Sequence, residues 1–508
     1  QVAGTPGSPE VPDISKDALG NPLEDFGLVL AHNQTKTDIS GVYTFYVTTA
    51  STEPTVSSAN GTVSNTTWNN TTKEFTCEID VPFGQTQLWV SVTNTGGGAT
   101  NVNCIRPNHT INDLFTNEYK AHMSRFGAIR YMDFGATNGN TVSTWAERKT
   151  TEYFVGGDEV GIEAGMPLEH MIQLCNELQR DIWICIPHLA DSTYTTNALT
   201  LIRDTLNSDL KIYIEYSNET WNYAFTQTQW LLTEATQEPL RTELEFAPAI
   251  NDYYLGWRHT GKKALEVAII AETVFGFSEF NSRYFNILNC QTGRPPFGQE
   301  ALSYIDFYGV RPTDEYISFT GLSTYYNLGE DQFSEGLDEE DVIRLLDKGV
   351  DWIHYAIDLY ITSMNATYPT IKTLAYEGGT DTFGTGSIEG KRLAQYDERH
   401  TDIIERLLKG WYDKMENAYG ERTNYMYYFG GAYAFDTVYG TWGLMEDYKD
   451  DDTAKTRAID NIINRYFVDT DKNACELSYS NKIAKAGANT ISITYDEAVV
   501  GTPNITIE

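Results

Sequence analysis

The stretch KIYIEYSNETWN, Lys211 to Asn222, runs an alternating β-branched and aromatic segment into an abrupt polar break. The alternation from Lys211 to Tyr216 predicts a strand. That strand ends on Asn218-Glu219, just ahead of Trp221. Asn218-Glu219-Thr220 is also an N-glycosylation sequon. The same letters therefore fit a glycan or a carboxylate held at a strand end, and the surrounding sequence has to decide.

Working outward from this stretch, short apolar strands alternate with amphipathic helical segments from Pro107 onward. Strands are expected at GAIRYMDF (127–134), DIWICIPHL (181–189), KIYIEYS (211–217), YFNILNC (284–290), YISFTGLSTYY (316–326), IKTLAYEGG (371–379) and TNYMYYFGG (423–431). Helices are expected at PLEHMIQLCNEL (167–178) and at about 195–206, 251–275, 340–363, 394–418 and 453–466. Repeated strand–helix units of this length predict an α/β fold with a parallel sheet. Seven strands suit a (β/α)8 TIM barrel with one strand still to be found, expected near residues 24–32. A doubly wound sheet is the alternative, but no Gly-rich phosphate turn follows any strand.

Upstream the rhythm is period two, as in GVYTFYVTTA, KEFTCEIDV and TQLWVSVTN. The expected organisation is an extended arm over 1–25, a β-sandwich-like module over 26–106, the barrel over 107–466 and a tail over 467–508. The tail carries strand-like NTISITYDEAVV (489–500) and NITIE (504–508), which belong to no barrel repeat.

The 508 residues carry 36 basic against 71 acidic side chains, a net charge of −35, which argues against nucleic acid and anionic membranes as partners. A neutral carbohydrate does not feel that field, and 33 Tyr, 22 Phe and 10 Trp supply flat rings of the kind that bind sugars. No run of about 18 apolar residues is present, so no membrane insertion is expected. Gln1 in place of Met, and sequons at Asn33, Asn60, Asn65, Asn69, Asn70, Asn108, Asn365 and Asn504 besides Asn218, lead us to expect a secreted, extracellular glycoprotein. The six cysteines have no metal-ligand spacing, and no metal or cofactor is expected. Cys77 and Cys104 flank one β-rich segment and are the expected disulfide; Cys175 and Cys185 read equally as buried thiols or a bridge.

In a (β/α) barrel the C-terminal strand ends carry function. Those ends are Arg130 and Asp133, His188, Asn218 and Glu219, Tyr325 and Tyr326, Glu377, and the YGTWG segment with Trp442. Any one Glu at a strand end is more often a solvated cap than a catalyst. Two at matching ends, Glu219 and Glu377, are what glycosidic cleavage requires: one carboxyl donates a proton to the leaving oxygen and the other attacks the anomeric carbon.

EYSNETWN and AYEGG resemble the acid/base and nucleophile segments of clan A glycoside hydrolases. More narrowly, they resemble a group of secreted barrel proteins with a YSNE…WN and YEGG pattern. The likeness extends to RYMDF, IPHLADSTY and YGTWGLMED and covers about 107–466. It implies Glu219 as general acid/base, Glu377 as nucleophile and Asn218 on the sugar 2-hydroxyl. Tyr325 would orient the nucleophile, with Arg130 nearby, and Trp442 would be a sugar platform. His188 would fall in the same pocket, or be structural. Arg130 could instead be a buried salt-bridge partner.

Two segments carry weaker signals. EDYKDDDTAK (446–455) reads as a solvated helix start capped by Asp452 rather than a calcium loop. GRPPFG (293–298) reads as a loop after the fourth readable strand. The function expected is a secreted retaining glycoside hydrolase acting on a β-linked polysaccharide. The rival is an extracellular structural or glycan-binding protein, a fibre or lattice subunit that keeps the barrel as scaffold and self-assembles through its terminal arms.

Overall fold

A computed structural model of the chain describes residues 2–3, 14–30, 36–153, 165–247, 251–428, 430–449 and 452–467. Residues 4–13 of the expected arm, the sequons at Asn33 and Asn504, and the tail from 468 lie outside the described residues.

Eight strands come first: β1 (Val2–Ala3), β2 (Phe26–Leu30), β3 (Gly41–Thr49), β4 (Thr55–Ser58), β5 (Thr62–Asn69), β6 (Glu74–Val81), β7 (Leu88–Thr93) and β8 (Ala99–Ile105). They pair antiparallel into two sheets, ordered β1-β2-β7-β4 and β5-β6-β3-β8. Alternation puts Tyr43, Phe45 and Val47 of β3 on one face. There they share an apolar core with Phe75 and Ile79 of β6 and with Leu28, Val90 and Val92 of the other sheet. The strand expected near residues 24–32 to complete the barrel is β2, and it belongs here instead, antiparallel to β7.

The disulfide expected between Cys77 and Cys104 does not form. Both residues flank Phe45 of the central strand, Cys77 from β6 and Cys104 from β8. Two strand spacings separate them, roughly 9–10 Å, whereas a bridge needs Cα atoms within about 7 Å. Both are free thiols, and burial pushes Cys77 up to about 11 and Cys104 up to about 12. Cys175 and Cys185 are free as well.

Six parallel strands follow, neighbours in space as in sequence: β9 (Ala128–Arg130), β10 (Asp181–Ile186), β11 (Ile212–Tyr216), β12 (Tyr284–Cys290), β13 (Phe319–Asn327) and β14 (Lys372–Asp381). Their helices are α1 (Asn117–Met123), α2 (Leu168–Leu178), α3 (Ser192–Thr205), α4 (Thr226–Ala235), α5 (Glu238–Leu244), α6 (Asp252–Phe275), α7 (Pro295–Tyr308), α8 (Glu339–Thr367), α9 (Ile388–Leu393), α10 (Arg399–Tyr419) and α11 (Ala454–Tyr466). Strands β11 and β12 are buried along their whole length, as a parallel sheet covered on both faces requires. Outward side chains such as Ile182, Ile212 and Ile214 pack on the helices. Inward ones, Trp183, Tyr213, Phe285, Ile287, Leu374 and Tyr376, form an inner core, with Trp183 stacked on Tyr213 at 5.5 Å and Tyr213 on Phe285 at 5.2 Å.

The segment expected as a strand at 423–431 joins this sheet more thinly. Ala375 donates to the Asn424 carbonyl at 2.9 Å, Met426 to Ala375 at 3.0 Å and Tyr428 to Gly378 at 2.8 Å, which places 424–428 beside β14. Among the described residues no strand lies between 424–428 and β9, so they form a curled, partly closed sheet rather than a full eight-stranded barrel.

Two local expectations are corrected. Only Gly293 and Arg294 of GRPPFG are loop: Pro295 starts α7, because a proline at the first helical position gives up no intrahelical bond. The cap of α11 is Thr453, whose hydroxyl accepts from Thr456 N–H, while Asp452 pairs with Arg457. Of the sequons, Asn65, Asn69, Asn70 and Asn108 are exposed. Asn60 turns its amide to backbone groups of Gln87 and Trp89, and Asn365 is half-buried on α8.

Candidate active site

β11 ends at Tyr216 because the backbone leaves strand geometry: Ser217 has φ +58° and Glu219 φ +42°. Two non-glycine residues in the left-handed region cost free energy, and such strain concentrates at functional sites. The turn carries Glu219 back over the sheet end. There its carboxylate accepts from Asn222 Nδ2 at 2.9 Å and from Tyr376 Oη at 3.0 Å.

Glu377 reaches the same region by a different device. The β13–β14 register shifts between Leu322 and Ser323, so that Ala375 pairs with Leu322 and Glu377 with Ser323. Tyr376 is the extra residue of a bulge. Consecutive strand residues ordinarily face opposite sides; the bulge lets Tyr376 and Glu377 both turn inward. The glycines of AYEGG follow from the crowding beyond. A Cβ on Gly378 would lie 2.1 Å from Thr324 Oγ1, and Gly379, at φ +116°, would meet the Tyr427 ring at 2.6 Å.

Arg130 ties the strand ends together. Its Nε and Nη2 grip Glu215 at 2.9 Å each, Nη1 donates to Glu377 at 2.7 Å, and Nη2 also reaches Asn218 Oδ1 at 2.8 Å. The guanidinium lies over the rings of Trp183 and Tyr376, at 5.5 and 5.1 Å. It is thus a buried salt-bridge partner and a direct contact of Glu377 at once. Tyr325 Oη donates to Glu377 at 2.8 Å. Asn218 donates to Asn138 at 3.0 Å; it is 2% exposed, so this sequon has no room for a glycan.

Burial is the largest influence on both carboxyls and pushes both up, and each is raised further by a neighbouring carboxylate. Two buried carboxyls so coupled release protons one at a time. Their partners differ. Glu377 receives a charged donor and a hydroxyl, Arg130 and Tyr325, which favour its ionised form. Glu219 receives only neutral donors, Asn222 and Tyr376. The charge of Arg130 favours the ionised form of both carboxyls, and of the two only Glu377 accepts its hydrogen bond.

A prediction follows from the upward shift at Glu219. The folded protein holds a proton there that the unfolded chain releases above the ordinary carboxyl range, so stability is lost as pH rises. Glu219→Gln cannot ionise. It should gain about 0.5–2 kcal/mol over the parent at pH 8 and little at pH 4, read by urea unfolding at both values.

The other expected residues are spread around this centre. Trp442 is two rings away from Tyr325: Tyr428 meets Tyr325 edge-on at 5.8 Å and Trp442 at 5.2 Å. His188 is buried against Trp230, ring centroids 5.6 Å apart, and burial lowers it to about 4. Its described contacts join it to neither carboxyl. Sequence reading did not single out Glu215, Tyr376, Asn138 or Asn222. Only Glu215 left a signal, sitting four residues before Glu219 on the inward face of the alternating run.

No protein family and no curated protein matches the sequence. Among solved structures the chain is similar to a β-glucosidase from Thermotoga maritima in complex with castanospermine, at 11% identity and TM-score 0.37, over 70% of this chain and 87% of that one. It is also similar to a glycoside hydrolase family 5 lichenase from a Caldicellulosiruptor species, at 11% identity and TM-score 0.36, over 69% and 84%. A family 51 α-L-arabinofuranosidase from Bifidobacterium longum gives 12% identity and TM-score 0.36, over 63% and 62%. Likenesses this distant carry no assignment of function, which has to rest on the residues.

Proposed function

We propose that this chain is a secreted retaining glycoside hydrolase that cleaves β-linked polysaccharide through Glu219 and Glu377. The observation that carries the reading is the asymmetric pair itself: Glu377 held by Arg130 and Tyr325, Glu219 by neutral donors alone. Glu377 attacks the anomeric carbon while Glu219 gives its proton to the leaving glycosidic oxygen. A glycosyl ester forms on Glu377. Glu219, now a carboxylate, takes a proton from water, which attacks the same carbon and releases the sugar with its original anomeric configuration. Asn218 Nδ2 has a second hydrogen beyond the one given to Asn138 and can reach a sugar hydroxyl. Exposed Asn65, Asn69, Asn70 and Asn108 suit an extracellular glycoprotein.

The deciding experiment is a panel of β-linked polysaccharides digested with the purified protein, with proton NMR of the first product. A β-anomer that later mutarotates is expected. An α-anomer would exclude the double displacement, because the carboxyls would then flank a water. Binding without any release would favour the glycan-binding or assembly role.

A further inference from the structure

Glu215 lies under the carboxyl pair, two residues after inward-facing Tyr213 on β11 and on the same face. It is 1% exposed. Its oxygens accept from three neighbouring strands: from Arg130 Nε and Nη2 of β9 at 2.9 Å each, from Trp183 Nε1 of β10 at 2.8 Å and Cys185 Sγ at 3.3 Å, and from Asn289 Nδ2 of β12. Guanidinium, indole and amide N–H groups only donate, so Glu215 takes part as a carboxylate. Five donors occupy its roughly four lone-pair directions, and none is left for a substrate. A carboxylate costs free energy to bury even when it is paired. An apolar side chain such as Ile287, its register neighbour on β12, fills an inward position without that cost. Packing alone therefore does not account for an acid here.

What the acid holds is Arg130. The guanidinium is planar, so a two-point grip on its Nε–Nη2 edge fixes the plane and aims the remaining nitrogen, Nη1, at Glu377. The same grip leaves an Nη2 hydrogen for Asn218 at 2.8 Å. It also lays the guanidinium over the Tyr376 ring, whose hydroxyl reaches Glu219 at 3.0 Å. Glu215 sets the charge of the cluster as well. Arg130 is the cation shared by Glu215, Glu219 and Glu377. The other titratable groups facing them are Cys185 on β10, Tyr325 on β13, Tyr376 on β14 and Tyr428 beside it. Glu215 takes up part of that single positive charge, and its own negative charge is among the causes that hold Glu219 up.

Resting on the glycosidase reading, we propose that Glu215 is a positioning residue for the double displacement: it touches no substrate, aims Arg130 at Glu377, and with its buried negative charge keeps a proton available to the Glu219–Glu377 pair. Two variants separate aim from charge. Glu215→Gln keeps the length and removes the charge. Glu215→Asp keeps the charge and draws the grip back by one methylene.

Carbon-13 NMR of labelled glutamate carboxyls in the full chain follows the pair in each variant, with Glu219→Gln and Glu377→Gln assigning the signals. In Glu215→Gln the second proton release of the pair should fall by about one pH unit or more, and the basic limb of the pH profile of kcat should move with it. In Glu215→Asp that release should stay at its parental pH, while kcat falls at least about tenfold and KM changes little, because the nucleophile is no longer held in line. A Glu215 that served structure alone would move neither the release nor the limb. An unmoved release in Glu215→Gln, or the parental kcat in Glu215→Asp, therefore overturns the proposal. Should Glu215→Gln fail to fold, the kcat of Glu215→Asp decides alone. A parent that cleaves no β-linked glycan overturns the glycosidase reading instead. The NMR titration needs no turnover, so it then still decides whether Glu215 governs the pair.

Discussion

Glu377→Gln is expected to lower kcat by roughly four to six orders of magnitude on whichever β-linked glycan the parent cleaves, as for loss of a covalent nucleophile elsewhere. The amide keeps the shape of the carboxylate and its oxygen can still accept from Arg130, so binding should change much less than turnover. That split separates lost chemistry from lost structure. The pH dependence adds a second readout. The competent state of the pair has one proton, on Glu219, so the parent should show a bell. Its acidic limb reports protonation of Glu377, and its basic limb reports loss of the Glu219 proton. Because both carboxyls are pushed up by burial, the bell should sit higher in pH than ordinary carboxyl values would put it. Glu377→Gln retaining more than a tenth of the parental kcat would exclude the nucleophile role.

Arg130→Met should be the most destabilising single change at the site, by roughly 3–5 kcal/mol, because it leaves Glu215 and Glu377 buried without their shared counter-charge. Both carboxylates are nearly inaccessible, at 1% and 5% exposure, so water cannot replace the guanidinium. The loss should depend on pH in a defined direction. Without Arg130 the Glu377 carboxyl is raised further, so folding holds its proton more tightly than the unfolded chain does. That contribution is present at about pH 4 and is lost as pH rises. The gap to the parent in urea unfolding should therefore be small at pH 4 and large at pH 7.5. Arg130→Lys returns the charge without the fork that grips Glu215 at two points and should recover only part of the stability. An equal gap at both pH values would show that Arg130 acts through packing on Trp183 and Tyr376 rather than through charge.

Much of this arrangement was legible in the letters. Strand and helix periods placed β10, β11, β12, β13 and β14 and most of the long helices, because a parallel sheet covered by helices imposes a local apolar pattern on every element. The strand-end rule then pointed to Arg130, Glu219 and Glu377. The strand sought near 24–32 was misplaced for a clear reason: five apolar residues in a row suit either a barrel wall or the face of a small sheet, and only their antiparallel pairing with β7 chooses. Cys77 and Cys104 looked like partners because they flank one segment. A central strand between them, invisible in their spacing, keeps them apart.

By itself the sequence determined the alternation of strands and helices, the acidic surface and the identities at the strand ends, since these depend on neighbours along the chain. The tertiary structure alone decided that a one-residue bulge turns both Tyr376 and Glu377 inward. It also decided that Arg130 spans Glu215, Asn218 and Glu377, and that Glu219 is left with neutral donors. Those relations join residues 85 to 247 positions apart. Burial there removes the water that would otherwise screen each charge, so the protonation of one carboxyl is set by groups that no local pattern connects to it.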